Sequence, residues 1–466
     1  MIPMSLRDVA VHTGGSLHPD VPSTGALLVD GPVVTDSRQS GPGSLYVARV
    51  GEHADGHAFV GDARSAGAVA ALTSRPVDGM PAVVVDDVEQ AFGRLARAVL
   101  ARRPGLPVVA VTGSSGKTST KDLLAQVLAT AGETVAPVDS LNGEVGVPLT
   151  VCRLTESTAF LVLEMGARGL GHLRYLTSIA RPTVSVVLNV GSAHVGEFGS
   201  RENIGLAKGE LVEALDADGV AILNADDPVV AAMSARTTAR VVTVGLGEGT
   251  QVRAVDVALD GLGRASFSVN GFGARLPVQL QVSGAHQVGN ALAVLAAAVE
   301  CGLSPEDAAT ALSAARPVSR WRMEITERPD GVTVINDAYN ANPDSMRAAL
   351  RALTSIAGGT GPGRRTWAVL GEMLELGPDS TAEHESLGRA VVDLGVSRLL
   401  VVGEGARPVV DGAARAADAR WVADADTAYG LLDEELAPGD VVLLKSSRDA
   451  GLRWLGDRLA GREVPS

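Results

Sequence analysis

From Val108 onward the chain repeats one pattern: a short apolar run that ends in glycine or polar residues, then a longer stretch with helical spacing. VVAVTG, AFLVLEMG, VSVVLNVG, GVAILNADD and RVVTVG are the apolar runs of the middle of the chain. Runs this short, separated by helical stretches, predict a doubly wound, mainly parallel sheet. Between Arg253 and Gln281 the apolar residues instead alternate with polar ones and glycines, which predicts an antiparallel excursion, and a helix is expected around Asn290 to Cys301. Near Arg316-Pro317 the pattern restarts, and TVINDAYN, WAVLGEM, RLLVVGEG and VVLLKSS read as the strands of a further α/β unit. Before all of these, a region containing AVVVDD and a helical stretch from Val88 to Leu100 closes on RRPGLP (Arg102 to Pro107), a linker by composition.

The fold class expected is therefore α/β in three domains. Residues 1–104 form a small N-terminal α/β module, 105–316 a central doubly wound, mainly parallel sheet, and 317–466 a C-terminal Rossmann-like α/β domain. A length of 466 residues agrees, because roughly two to four cores are expected at that size. No apolar run approaches the roughly 18 residues a membrane helix needs. The opening MIPMSLRDVA has neither a basic start nor a long apolar core, so no secretion signal or membrane insertion is expected, and a cytoplasmic location is. Cys152 and Cys301 are too few for a disulfide framework and are expected to be small buried residues. A net charge of -14 with no basic arm argues against nucleic acid as the partner.

Composition changes the picture at one point. Of 40 Lys+Arg residues only four are lysines: Lys117, Lys121, Lys208 and Lys445. A chain that uses arginine wherever either cation serves keeps lysine where a compact or neutralisable amine is needed.

TGSSGKTS (Thr112, Gly113, Ser114, Ser115, Gly116, Lys117, Thr118, Ser119) lies between the run VVAV and the helical TKDLLAQVL. A phosphate-binding loop needs that strand–loop–helix setting: backbone N–H groups and the helix N-terminus cradle phosphate, the lysine bridges outer oxygens, and the threonine can ligate Mg²⁺. Val111 stands where the longer form of the loop has glycine, so this loop is short. Glu164, His194 and Lys445 each follow an apolar run, at the sheet edge where ligands of such folds collect. Taken singly, Glu164 also fits a surface acid, His194 a structural histidine and Lys208 a solvated helix lysine. The polar stretch NDAYNANPDSM, with Asp337, Tyr339 and Asn340, equally fits turn chemistry.

Together these pieces resemble the Mur ligases, ATP-dependent amide ligases of peptidoglycan precursor synthesis, over nearly the whole chain. TGSSGKTS, EMGARG with Glu164, LNVGSAHVGEFG with His194, AKGEL with Lys208 and GAHQVGNALA with Asn290 carry the resemblance. Within the family, DAYNANPDSM and VLGEMLELG resemble the branch that adds D-alanyl-D-alanine to UDP-N-acetylmuramoyl-tripeptide. TDSRQSGPGSLYVA and GEHADGHAF resemble that branch's uridine-nucleotide domain. The Asp-Asn-Pro-Arg motif of the sibling that adds a diamino acid is absent. Gly143, Gln287 and Asn336 depart from the family pattern away from the phosphate and metal positions.

The resemblance implies ATP and Mg²⁺ as cofactors and an acyl phosphate on the tripeptide carboxylate. It implies Lys117 at the triphosphate, Thr118 and Glu164 on one metal, and His194 and Lys208 on a second. The lysine matching Lys208 is carbamylated in the family. Asn290 would contact adenine, Arg322 the γ-phosphate and Asp337 the ribose, with Ser37, Arg38, Asn142, Tyr339 and Asn340 on the other substrates. The protein is expected to act as a monomer. A GTP-driven switch would show an Asn-Lys-x-Asp guanine motif, and none is present. A folate polyglutamate ligase would share the loop but lack the opening module, and a pure binding module would not account for Lys117, Glu164 and His194 together.

Overall fold

A computed structural model describes residues 1–51, 54–191, 198–359, 364–413 and 418–463. The central sheet among them has nine strands. Its parallel part runs, in spatial order, Val252–Leu259, Arg240–Gly245, Val220–Asn224, Val184–Val187, Val108–Thr112, Phe160–Glu164 and Thr134–Val135. Val108–Thr112, Phe160–Glu164 and Val184–Val187 are buried at every position. Such unbroken apolar runs are what a parallel sheet covered on both faces requires, and they explain why no alternation is visible in the sequence. On one face the strands are covered by the helices Lys117–Ala129 and Gln287–Glu300. The second is buried around nearly its whole circumference. It begins at Gln287, three residues before the expected start at Asn290.

The antiparallel excursion is present as Val252–Leu259, Arg264–Gly271 and Ala274–Ser283. Register places Val187 beside Thr112 and Glu164 beside Val111, so the strand ends carrying Thr112, Glu164 and Leu188 meet at one carboxyl edge.

The C-terminal sheet has six strands among the described residues: Glu324–Glu327, Thr333–Asn336, Val441–Lys445, Thr366–Leu370, Arg398–Val402 and Ala419–Val422, in that spatial order. Glu324–Glu327 and Ala419–Val422 were not anticipated. Both are edge strands with no fully buried position, so they present no apolar run to read. The N-terminal module is a five-stranded sheet flanked by the helix Val88–Ala101 and shares a continuous core with the central domain. Cys152 is buried as expected, and burial raises its thiol to about 12. Cys301, at the end of the helix Gln287–Glu300, is partly exposed instead.

Candidate active site

The loop from Gly113 to Gly116 is shaped by its neighbours as much as by its own residues. Gly116 has φ of +82°, and a Cβ there would lie 2.7 Å from Asn290 Oδ1, so both conformation and space call for glycine. Asn189 braces the other side. Its carbonyl accepts from Ser114 N–H (3.1 Å), its Oδ1 accepts from Ser115 N–H (2.9 Å), and its Nδ2 donates to the Ser115 carbonyl (3.1 Å). Gly191 N–H donates to Ser114 Oγ (2.9 Å). Asn189 lies within LNVGSAHVGEFG but was not singled out, because the argument there rested on His194.

The helix beyond opens at Lys117, and its first intrahelical bond runs from Thr120 N–H to the Gly116 carbonyl. The N–H groups of Lys117, Thr118 and Ser119 have no acceptor among the described residues, which leaves a helix N-terminus suited to an anion. Lys117 is half-buried and folds back so that Nζ donates to the Gly113 carbonyl (2.7 Å). Burial lowers its pKa and Arg322 adds to the effect, while Glu164 opposes it. Thr112 is fully buried and its hydroxyl has no partner among the described residues.

Glu164 is 1% exposed. Thr118 Oγ1 donates to its Oε2 (2.9 Å) and Asn142 Nδ2 to its Oε1 (2.8 Å), yet it has no ion-pair partner among the described residues. Ser140 Oγ lies 2.9 Å from Thr118 Oγ1. Lys208, on the helix Arg201–Glu213, is 3% exposed and makes no hydrogen bond or ion pair among the described residues. Burial, reinforced by the nearby Lys117 charge, pushes its pKa well below that of free lysine. The solvated-lysine reading of position 208 is thereby excluded. His194 lies outside the described residues.

The C-terminal domain reaches this edge through Arg322. Its guanidinium donates to Thr118 Oγ1 and Ser140 Oγ, both at 3.2 Å, and lies over the Tyr339 ring at 4.2 Å. The residues on either side, Trp321 (φ 59°) and Met323 (φ 49°), are in the left-handed region, which non-glycine residues occupy only when their surroundings enforce it. Met323 N–H donates to Asp337 Oδ1 (3.0 Å), and Trp321 is fixed through its indole N–H to Asp457 (2.9 Å). Lys445 is 3% exposed; its Nζ donates to Asp337 Oδ2 (2.7 Å) and to the Asn340 carbonyl (2.9 Å). Asn340 Oδ1 accepts from Ala341 N–H (2.9 Å).

A cleft of about 490 Å³ separates the two halves, lined among others by Ser114, Ser115, Arg201, Asp227, Asn342 and Asp344. Arg201 Nε donates to the Val190 carbonyl (2.8 Å) and Asp227 Oδ2 accepts from Val190 N–H (2.8 Å). Neither residue was singled out from the sequence, because each sits in an ordinary helix-start context.

The structure thus gathers Thr112, Gly113, Ser114, Ser115, Gly116, Lys117, Thr118, Glu164, Asn142, Asn290 and Arg322 at one edge, with Tyr339 adjoining through Arg322, Asp337 through Met323 and Lys445, and Asn340 through Lys445. Asn290 Nδ2 donates to Gln287 Oε1 (2.9 Å), and its Oδ1 faces Gly116. Ser119 is partly exposed, with no side-chain hydrogen bond among the described residues. Ser37 and Arg38 stand apart, on a short turn of the N-terminal module. Arg38 is turned to solvent and pairs with Asp36 (2.6 Å).

Sequence profiles of three domains match this chain: the Mur ligase middle domain over residues 111–298, the glutamate ligase domain of Mur ligases over 321–448, and the Mur ligase family catalytic domain over 32–111. The UDP-N-acetylmuramoyl-tripeptide--D-alanyl-D-alanine ligase of Mycobacterium tuberculosis is 48% identical, over 100% of this chain and 99% of that protein. The Bacillus subtilis enzyme of the same name is 34% identical over 96% of each chain. Among solved structures, MurF from Acinetobacter baumannii superposes with a TM-score of 0.88 at 31% identity, over 99% of both chains. The Thermotoga maritima MurF ligase in complex with ADP gives 0.79 at 27% identity, over 93% of this chain and 98% of that one.

Proposed function

The chain belongs to the Mur ligase family, and from that premise we propose that it joins D-alanyl-D-alanine to UDP-N-acetylmuramoyl-tripeptide at the expense of ATP, forming ADP and the pentapeptide precursor of peptidoglycan. The observation that carries this reading is the contact of Arg322 with Thr118, which makes one site from two domains. ATP transfers its γ-phosphoryl group to the tripeptide's terminal carboxylate. The dipeptide amine then attacks the acyl phosphate, and phosphate leaves as the amide forms. Such chemistry needs orientation and charge neutralisation rather than a protein nucleophile.

Lys117 and the free N–H groups of the helix start hold the phosphates, and Arg322 neutralises the outer one from the opposite domain. Asn290 is the proposed adenine contact and Asp337 the proposed ribose contact. Ser37, Arg38, Asn142, Tyr339 and Asn340 are proposed for the remaining substrate groups. Bringing the C-terminal half over the phosphate site excludes water, which would otherwise hydrolyse the acyl phosphate.

Mg²⁺ fits the donors present. Glu164 is a buried carboxylate with no ion-pair partner among the described residues, and with the Thr118 hydroxyl that donates to it forms an all-oxygen set of the kind Mg²⁺ prefers. When bound there, the ion offsets the negative charge of the phosphates. Lys208 is proposed as a carbamate: the neutral amine's lone pair adds to the carbon of CO₂, a proton is released, and an oxygen anion replaces a cation. The lowered pKa of its buried amine supports that step. His194 is proposed to join it on a second metal. We also propose the domain division at 104/105 and 316/317, a monomeric state, and a cytoplasmic site of action. No helix among the described residues is long and apolar enough to cross a membrane.

Mass spectrometry of products from UDP-muropeptides supplied with ATP and either D-alanine, D-alanyl-D-alanine or a diamino acid tests the reading. Amide formation is expected with the D-alanyl-D-alanine dipeptide alone. Addition of a single diamino acid to the UDP-muramoyl-dipeptide at a comparable rate would overturn it.

A further inference from the structure

Three of the four lysines are absorbed by the site: Lys117 on the loop, Lys208 beside it and Lys445 on Asp337. The fourth, Lys121, is 2% exposed on the helix Lys117–Ala129, one turn below the phosphate loop. Its Nζ donates to the carbonyl of Pro137 (3.0 Å). Pro137 opens an irregular segment between the strand Thr134–Val135 and the helix Gly146–Val151. That segment carries Ser140, which meets Thr118 and Arg322, and Asn142, which donates to Glu164. Asp139 within it has φ of 51°, so the segment is not held by its own backbone preferences.

The same helix also holds the linker to the C-terminal domain. Asp122 pairs through Oδ1 with Lys121 Nζ (2.5 Å) and accepts from Ser319 N–H through Oδ2 (3.3 Å). One turn further, Gln126 brackets the backbone of Arg316, accepting its N–H (3.0 Å) and donating to its carbonyl (2.9 Å). Ser319 is three residues from Arg322. One helix therefore grips two segments that each deliver a side chain to Thr118.

We propose that Lys121 is a positioning residue: with Asp122 it ties the Pro137–Asn142 segment and the interdomain linker to the phosphate-loop helix, so that Ser140, Asn142 and Arg322 arrive together at Thr118 and Glu164. A compact amine suits this place. It satisfies one carbonyl and one carboxylate within a core where a planar guanidinium would need more donors met and more room. A lysine that merely stabilises the core is the competing account.

Hydrogen exchange on the full chain, without nucleotide or metal, separates the two for Lys121→Met. Faster exchange confined to amides of residues 138–143 and 318–320 is expected. Wild-type exchange in both segments of the folded variant, or loosening spread evenly over the chain, overturns the proposal. The kinetic part rests on the metal site proposed above: the Mg²⁺ concentration for half-maximal ligation should rise about five-fold, the size of one lost hydrogen bond, with the KM for D-alanyl-D-alanine unchanged. A proportional fall in kcat with no change in Mg²⁺ requirement counts against it. Should Lys121→Met not fold, Ser140→Ala must raise the Mg²⁺ requirement to a similar extent with linker exchange unaltered; an unchanged requirement overturns the proposal. Joint loosening of the two segments in a protein that makes no pentapeptide would refute the assigned reaction and leave the positioning role standing.

Discussion

On the central-domain side of the cleft, Lys117, Glu164 and Lys208 have no ion-pair partners among the described residues, although Glu164 and Lys208 are buried. On the C-terminal side, Lys445 and Asp337 are also buried or nearly so, but they meet each other at 2.7 Å. Unpaired charges are costly to bury and are tolerated where a ligand completes them. A paired charge instead fixes geometry, and here the pair sets the loop from Asp337 to Asn340 and, through the N–H of Met323, the strained turn that presents Arg322. The central half is built to receive charge. The C-terminal half is built to hold one arginine in place.

The largest effect expected from breaking this contrast is at Lys117. Lys117→Ala should abolish ligation while the fold persists, a loss of about 3 kcal/mol or more in transition-state stabilisation. Steady-state turnover alongside circular dichroism checks it, and wild-type turnover would remove the phosphate-site assignment.

Lys208→Ala should be nearly inactive and partly restored by a small carboxylic acid, which supplies the missing oxygen anion. Lys208→Arg should not be restored, because guanidinium is never neutral at working pH and cannot take up CO₂. Full activity of Lys208→Arg would show that only a cation is needed there.

Across the cleft the expected loss is one of stability. Lys445→Met leaves Asp337 without its partner and should cost about 3 kcal/mol in chemical unfolding, because a broken buried pair leaves a stranded charge. A cost near zero would mean that the pair does not hold the Arg322 turn.

The smallest effect sharpens the contrast by pH. The amine of Lys208 has a lower pKa folded than unfolded, where it is near 10.5, so between those two values the unfolded chain binds more protons and folding gains stability as pH rises. In metal-free protein without bicarbonate, Lys208→Met avoids the penalty. Its stability advantage over wild type should therefore be greatest below the folded pKa and shrink as pH rises toward 10.5. An advantage that grows with pH would contradict a buried, unpaired amine.

Much of the central half was readable in one dimension because its chemistry is local. Gly113 to Ser119 are contiguous, and the strand before and helix after them have unmistakable patterns. Scarcity of lysine in the sequence also points to Lys208, which the structure buries. The partners of the braces were not readable. Asn189 reaches the loop over 74 residues of sequence separation, and nothing in the sequence pairs Lys121 with the Pro137 carbonyl. The edge strands Glu324–Glu327 and Ala419–Val422 escaped notice because a half-exposed strand leaves no apolar run.

The order of apolar runs and helical stretches was enough to determine the α/β architecture, its three-domain plan and the strand–loop–helix setting of Gly113 to Ser119, since burial on both faces of a parallel sheet imposes that composition residue by residue. Which charges stand unpaired and which are matched was decided only by the tertiary structure. Lys208 and Lys445 look alike in the sequence, each a rare lysine in an otherwise apolar setting. One is buried with no counter-ion among the described residues and the other against Asp337, over 108 residues of separation. Desolvation and Coulomb attraction depend on what lies within a few ångströms in space, and chain order does not record that distance.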